Sequence, residues 1–232
     1  GTIRVHHLEE GASLRLRGHR DVVFDFACVT ATCSRLISAS ADGTLRDWRF
    51  PIAPRQRLSR GGTRAYNVAF AGPDRIVGTF RDGSVHRWTR AGARWTAERL
   101  AGHPASAWNV VSSRDGSLVV TGDHAGGIYV HRRGARSTYH PSHTAAIYAL
   151  ALTRDERAVV STSADGEIHQ MDLGSGAVRV LGRHAVGTYR LRVLEPSGEV
   201  VSAADDGAVT RWGAPASGRA RTFAAHDGII VG

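Results

Sequence analysis

Lysine is absent from this 232-residue chain, and all 30 of its basic residues are arginine. Arginine is spelled largely by G/C-rich codons and lysine by A/T-rich ones, so the usage points to a G+C-rich, bacterial coding sequence. Proline is scarce too: 7 scattered residues beside 27 glycines exclude collagen-like repeats and Pro-rich linkers. No apolar run approaches the roughly 18 residues that a membrane-spanning helix requires. The N-terminus lacks the charged segment, apolar core and small-residue cleavage site of a secretory leader. Cysteine is limited to Cys28 and Cys33, spaced C-x4-C, too few for a disulfide scaffold or a four-ligand zinc site. The pair is expected as buried small hydrophobes in a reducing cytosol rather than as a hairpin disulfide.

What is present describes a globular domain, with 42% hydrophobic and 22% charged residues. The length suits one large all-β domain or two small ones. The formal charge of +9 is uneven: residues 44–101 hold 12 Arg against Asp47, Asp74, Asp82 and Glu98. Such a balance raises acidic proteins, anionic membranes and nucleic acid as partners.

Self-similarity organises the chain. The stretch Asp42-Gly43 to Trp48 recurs as Asp82-Gly83 to Trp88, Asp165-Gly166 to Met171 and Asp206-Gly207 to Trp212. A weaker copy runs from Ala125-Gly126 to His131, and the chain opens inside another, Gly1 to His6. The closing positions 6, 48, 88, 131, 171 and 212 are 42, 40, 43, 40 and 41 residues apart. An Asp-Gly pair between short apolar runs is a strong hairpin signal, because the turn wants φ > 0. Four strands per repeat and no useful helical periodicity predict radial β-blades.

The pattern resembles WD-repeat β-propellers, and the resemblance covers essentially the whole chain. That family carries Gly-His before the innermost strand and a Trp-Asp-like pair closing the third. Gly18-His19 and Gly102-His103 match fully; Ser142-His143, Arg183-His184 and Ala225-His226 keep the His, and Gly61-Gly62 lacks it. The resemblance implies an all-β propeller of four-stranded antiparallel blades. Five complete blades are expected over 18–60, 61–101, 102–142, 143–182 and 183–225. A split blade would take its third and fourth strands from 1–17, with 226–232 the first strand of a further blade. The chain is thus expected to be part of a longer propeller, seven-bladed in the parent or, as the alternative, six-bladed.

The resemblance also implies a buried hydrogen-bonded chain of His, Ser/Thr, Asp and Trp in each blade. It places His19, Ser38, Asp42 and Trp48 in the first blade, and His184, Ser202, Asp206 and Trp212 in the fifth. The fourth has His143, Ser161 and Asp165 but closes on Met171. The third retains His103 and Thr121 while Ala125 and His131 replace Asp and Trp, and the second keeps only Asp82 and Trp88. Blades two and three are therefore expected to be the softest. A repeated His–Asp–Ser set is architecture rather than catalysis, which needs one site in one cleft. No phosphate loop or nucleophile elbow occurs, and the pairs His6-His7 and His140/His143 do not read as metal ligands.

One pattern lies outside that frame. Phe24, Tyr66, Trp108, Tyr148 and Tyr189, at spacings of 42, 42, 40 and 41, put an aromatic near the start of every innermost strand. Two readings are open. The rings line the central channel at the partner-docking top face, or they begin the packed face of each strand, alternating with Phe26, Val68, Val110, Leu150 and Leu191. Arg64 and Arg81 would flank Tyr66, and His124 occupies a top-face position. The resulting expectation is a non-catalytic, cytoplasmic scaffold or sensor module without cofactor or metal. It would dock a protein, a peptide or another domain of the same protein on its top face and basic edge, inside a larger signalling or effector protein. The alternative is a nucleic-acid-binding propeller using residues 44–101; no membrane partner is expected.

Overall fold

The computed structural model describes residues 1–6, 13–28, 33–50, 56–58, 62–213 and 220–224. His7, Arg55, Arg60, Gly61, His226 and the strand expected over 226–232 lie outside the described residues. All described regular structure is β. Strands β1 (Thr2–His6) and β2 (Ser13–Arg17) form a two-stranded antiparallel sheet. Five four-stranded sheets follow in chain order. The first holds β3 (Val23–Cys28), β4 (Arg35–Ser40), β5 (Leu45–Arg49) and β6 (Gln56–Arg57). The second holds β7 (Ala65–Phe70), β8 (Arg75–Phe80), β9 (Val85–Ala91) and β10 (Arg94–Arg99). The third holds β11 (Ala107–Ser112), β12 (Leu118–Asp123), β13 (Gly127–Arg132) and β14 (Thr138–Pro141). The fourth holds β15 (Ile147–Leu152), β16 (Ala158–Ser163), β17 (Glu167–Asp172) and β18 (Val178–Arg183). The fifth holds β19 (Thr188–Val193), β20 (Val200–Ala204), β21 (Ala208–Trp212) and β22 (Ala220–Ala224).

The innermost strands β3, β7, β11, β15 and β19 stand side by side, each against the next. The sheets pack face to face, so the core is a series of seams between blades rather than one central mass. Ile128 and Val130 of the third sheet meet Ile147, Leu150 and Met171 of the fourth. Ile37 and Leu45 meet Val68, Ile76 and Trp88, and Ile3 and Leu16 of the short sheet cover Leu36 and Trp48. Each fully buried Ile or Leu in such a seam is worth about 1.5–3 kcal/mol.

Tight turns lock one blade to the next. Gly83, Gly126 and Gly166 have φ of 80°, 90° and 80°. A Cβ on them would fall 2.3, 2.2 and 2.5 Å from the carbonyl oxygens of His103, His143 and His184. The same glycine carbonyls accept the amides of those histidines at 2.9 Å. Only glycine satisfies both the positive φ and this approach.

Inside the first blade a directional chain of hydrogen bonds runs inward. The Trp48 indole donates to Ser38 (2.9 Å), Ser38 bonds His19 Nε2 (2.7 Å), and His19 Nδ1 bonds Asp42 (3.1 Å). With Asp42 ionised, the imidazole is the Nδ1–H tautomer and Ser38 donates to Nε2. Burial works against the Asp42 charge, but donors from Thr44, the Arg20 amide and His19 outweigh it and hold the carboxyl well below its ordinary range. The fourth blade repeats the chain from Ser161 through His143 to Asp165 at 2.8 and 3.2 Å. There, Met171 is fully buried in place of the indole, and His169 stacks on His143 with ring centroids 3.9 Å apart.

Two sequence expectations about these chains need correcting. The third blade keeps a complete chain through substitute residues. Asp123, two residues before Ala125, takes the carboxylate role at 3.0 Å from His103 Nδ1, and Thr121 bonds His103 Nε2 at 2.7 Å. His131 stands in for the indole, its Nε2 3.1 Å from Thr121 and its Nδ1 2.8 Å from Ser137. In the fifth blade Ser202 joins His184 and Trp212, both at 2.7 Å. Asp206, however, caps its own turn through the Ala208 amide, and no hydrogen bond joins it to His184.

The second blade is the eroded one. Gly78 occupies the hydroxyl position, and the Trp88 indole donates instead to the Leu58 carbonyl (3.1 Å). The loss is fixed by packing: a Cβ on Gly78 would lie 2.6 Å from Leu45 Cδ1 and 3.2 Å from the Trp88 ring. Restoring the hydroxyl with Gly78→Ser should therefore destabilise, by about 1–3 kcal/mol of overpacking, rather than repair the chain. The urea midpoint measures it, and a raised midpoint would contradict this account.

The cysteines also depart from expectation. Cys28 and Cys33 are disulfide-bonded across the β3–β4 hairpin, with Cα atoms 4.9 Å apart, and Cys28 is exposed. They are not buried thiols, so cysteine usage no longer supports a reducing compartment. Among the described residues, no helix is long and apolar enough to cross a membrane.

Candidate functional site

Each innermost strand carries one β-bulge, and each bulge falls on an aromatic residue. The ladder passes from Val23 to Asp25, Ala65 to Asn67, Ala107 to Asn109, Ile147 to Ala149 and Thr188 to Arg190. The skipped residues are Phe24, Tyr66, Trp108, Tyr148 and Tyr189. A bulge breaks the period-2 alternation and re-aims one side chain. The buried pairs are consequently Ala65 and Val68, Ala107 and Val110, Ile147 and Leu150, and Thr188 and Leu191, three residues apart instead of two. The rings are thereby excluded from the packed face and turn towards one another.

They form a continuous arc. Centroid separations are 5.4 Å for Phe24–Tyr66, 5.5 Å for Tyr66–Trp108, 5.5 Å for Trp108–Tyr148 and 4.3 Å for Tyr148–Tyr189. Phe24, at the end of the arc, is 46% exposed, and the other four rings are half-buried. All five line one cavity of about 210 Å³ with Asn67, Asn109 and Arg190. Burial, followed by a hydrogen bond with Tyr189, raises the Tyr148 phenol to about 12, so it stays a neutral hydroxyl. Offset and tilted rings at these distances attract one another and leave edges and faces for a ligand.

Behind the arc, residues of all five inner strands enclose a channel of about 600 Å³ that includes Asp25, Asn67, Asn109, Arg190 and Arg192. Burial pushes the Asp25 carboxyl up, while the Val68 amide at 3.1 Å and the charges of Arg190 and Arg192 oppose it. The channel is therefore polar where the arc is aromatic.

Arg81 lies in the turn between β8 and β9, and His124 in the turn between β12 and β13. Arg64 and Arg81 are exposed and joined by a backbone bond from the Arg81 amide to the Arg64 carbonyl (2.9 Å). His124 is exposed and packs 5.0 Å from Trp108. The basic second blade is partly internally compensated: Arg87 pairs with Glu98. Arg35, entering from the first blade, holds Asp47 at 2.9 and 3.0 Å and lies over Trp95 and Phe70. Among the described residues, no group of three or more His, Cys, Asp or Glu is arranged to hold a metal ion.

Asp205 precedes its blade's turn Asp, the position that the family resemblance marks as top-face together with Arg81 and His124, but it was not singled out as a binding residue. The bulges had no signal beyond the regular spacing of the rings.

Five four-stranded antiparallel sheets with their inner strands around one channel are the blades of a β-propeller. The family model described as "WD domain, G-beta repeat" matches residues 12–46 and 135–172, and the architecture fits a WD-repeat propeller. No curated protein matches the chain.

Proposed function

We propose that this chain is a non-catalytic docking module whose aromatic arc, flanked by Arg64, Arg81 and His124, receives a protein or peptide, or another domain of the same protein, in keeping with the general role of WD40 repeats as scaffolds for protein–protein interaction. One observation carries the reading: five separate bulges take five aromatic rings out of the blade seams and gather them over one cavity. Each bulge interrupts the ladder and turns its ring out of the seam, and the repetition of this at the aromatic position is accounted for by what the rings contact. Large, stiff aromatics beside arginine are the residue types that dominate protein-docking energetics.

The test is capture of partners from a lysate of the source cells by the wild-type chain and by its Tyr66→Ala/Trp108→Ala/Tyr148→Ala variant. Recovery of a specific partner should fall at least tenfold in the variant. Undiminished recovery would remove the arc as the docking site. DNA or RNA binding that weakens steeply with salt and ignores the triple change would favour the Arg-rich segment 44–101 instead.

A further inference from the structure

Five residues precede the turn position in the five blades: Ala41, Arg81, His124, Ala164 and Asp205. Only the last is a carboxylate. The Asp205 amide donates to the Gly187 carbonyl at 3.0 Å, and its Oδ2 lies 3.5 Å from where a Cβ on Gly187 would sit. Two residues on from Gly187 is Tyr189, which stacks on Tyr148 at 4.3 Å and 20°. The Asp205 charge is one of the influences that raise the Tyr148 phenol.

Among the described residues, neither Asp205 oxygen accepts a hydrogen bond or faces a cation, and Oδ1 is closed off from solvent. The hydroxyls of Thr162 and Thr188, on the facing strands β16 and β19, are likewise buried without partners. Asp205 is half-buried, and a closed-off carboxylate oxygen left without a donor, as its Oδ1 is, costs free energy that a bound donor would recover. The neighbours that would complete a pairing site are π faces: two stacked tyrosines with Trp108 next in the arc. π faces and a carboxylate attract the same class of group, a cation.

We infer that Tyr148, Tyr189 and Asp205 form a seat for one arginine or lysine side chain of the docking peptide. The cationic head lies against the tyrosine rings and donates to Asp205. The inference rests on the docking reading above and gives the peptide a polarity: its cationic residue sits at the fifth-blade end, away from Arg64 and Arg81 at the second.

The test is an NMR titration of the full chain with N-acetyl-arginine amide and with N-acetyl-citrulline amide, which has nearly the same shape and no charge. Arginine amide should shift the Tyr148 and Tyr189 ring resonances saturably and at least tenfold more tightly than the citrulline compound. Asp205→Asn should abolish that discrimination without lowering the urea midpoint, since among the described residues no hydrogen bond uses the carboxylate. Equal binding of the two probes, no saturable binding, or discrimination that survives Asp205→Asn would overturn the seat. A midpoint lowered by Asp205→Asn would do so too, by showing the residue tied into the fold. The docking reading fails by a different result, undiminished partner recovery by the triple alanine variant.

Discussion

Replacing Thr121 with valine is expected to lower the stability of the chain by about 3–5 kcal/mol, although the side chain keeps its shape. The hydroxyl bonds two buried imidazoles at once, His103 at 2.7 Å and His131 at 3.1 Å. Asp123 accepts from His103 Nδ1, so Nε2 of that ring must accept the Thr121 proton. Thr121 oxygen then accepts from His131 Nε2–H, and His131 Nδ1 accepts from Ser137. Every donor in the row points the same way, as in the first blade. Valine strands a buried acceptor and a buried donor together, each worth roughly 1–3 kcal/mol when left unmade, in a chain whose members polarise one another. Urea denaturation followed by near-UV circular dichroism measures the change. A loss below about 1 kcal/mol would return the third blade to the soft class that its missing Asp-Gly and Trp suggested.

Acid should destabilise the fold well before its carboxylates titrate. Burial lowers His131 to about 4, helped by the charges of His103 and Arg87. Burial and His169 lower His143 to about 4 against the opposing pull of Asp165. His19 and His184 are lowered in the same direction, again chiefly by burial. An unfolded imidazole takes up its proton near pH 6.5, whereas these two native rings resist until about pH 4. The unfolded state therefore binds more protons in that window, and stability rises with pH through it. The contribution is complete above about pH 6.5 and falls away as pH drops towards 4. His131 and His143 together should remove roughly 4 kcal/mol between pH 7.5 and pH 5. The lowered carboxyls of Asp42, Asp123 and Asp165 act in the same sense, but only at lower pH, as they protonate. The urea midpoint should thus decline steadily from pH 7 to pH 5; a flat midpoint would show that the blade histidines are solvated or already protonated.

The blades were legible in the sequence because their determinants are local. Asp-Gly at a fixed offset sets the turn, and the short apolar runs on either side set the strands. His19, Ser38, Asp42 and Trp48 could be placed by carrying the family resemblance onto the repeat, since each lies at one point on a repeated backbone. Counting failed where chemistry was conserved by a different residue. Asp123 reaches His103 from the strand end rather than from the turn and also accepts the Ala125 and Gly127 amides (2.9 and 2.7 Å). It thus does the turn-capping work of the missing Asp from two residues away. His131 supplies an N–H where the pattern looks for indole. The opposite failure occurred at Asp206, which holds the right position but turns its carboxylate to Ala208.

The aromatic arc was half legible. Regular spacing found the five rings, but their direction depended on whether strict alternation held, and a bulge is a property of pairing between strands. Val68 and Leu150 satisfy the packed face with or without Tyr66 and Tyr148 beside them, so hydrophobic pattern could not choose. The disulfide was missed for a similar reason. A C-x4-C spacing says nothing about whether a hairpin brings the two side chains together, and Cys28 and Cys33 meet because β3 and β4 pair directly above them.

The direct test of the central claim, that the bulged rings are there to be touched, is the affinity of a captured partner for the wild-type chain and for the Tyr66→Ala/Trp108→Ala/Tyr148→Ala variant. Titration calorimetry should run beside circular dichroism spectra that establish an intact fold. Three half-buried aromatic anchors, each worth about 1–2 kcal/mol or more at a docking surface, predict a loss of at least about a hundredfold. An unchanged affinity with an unchanged fold would mean that the rings serve the propeller alone, and that its partner binds elsewhere.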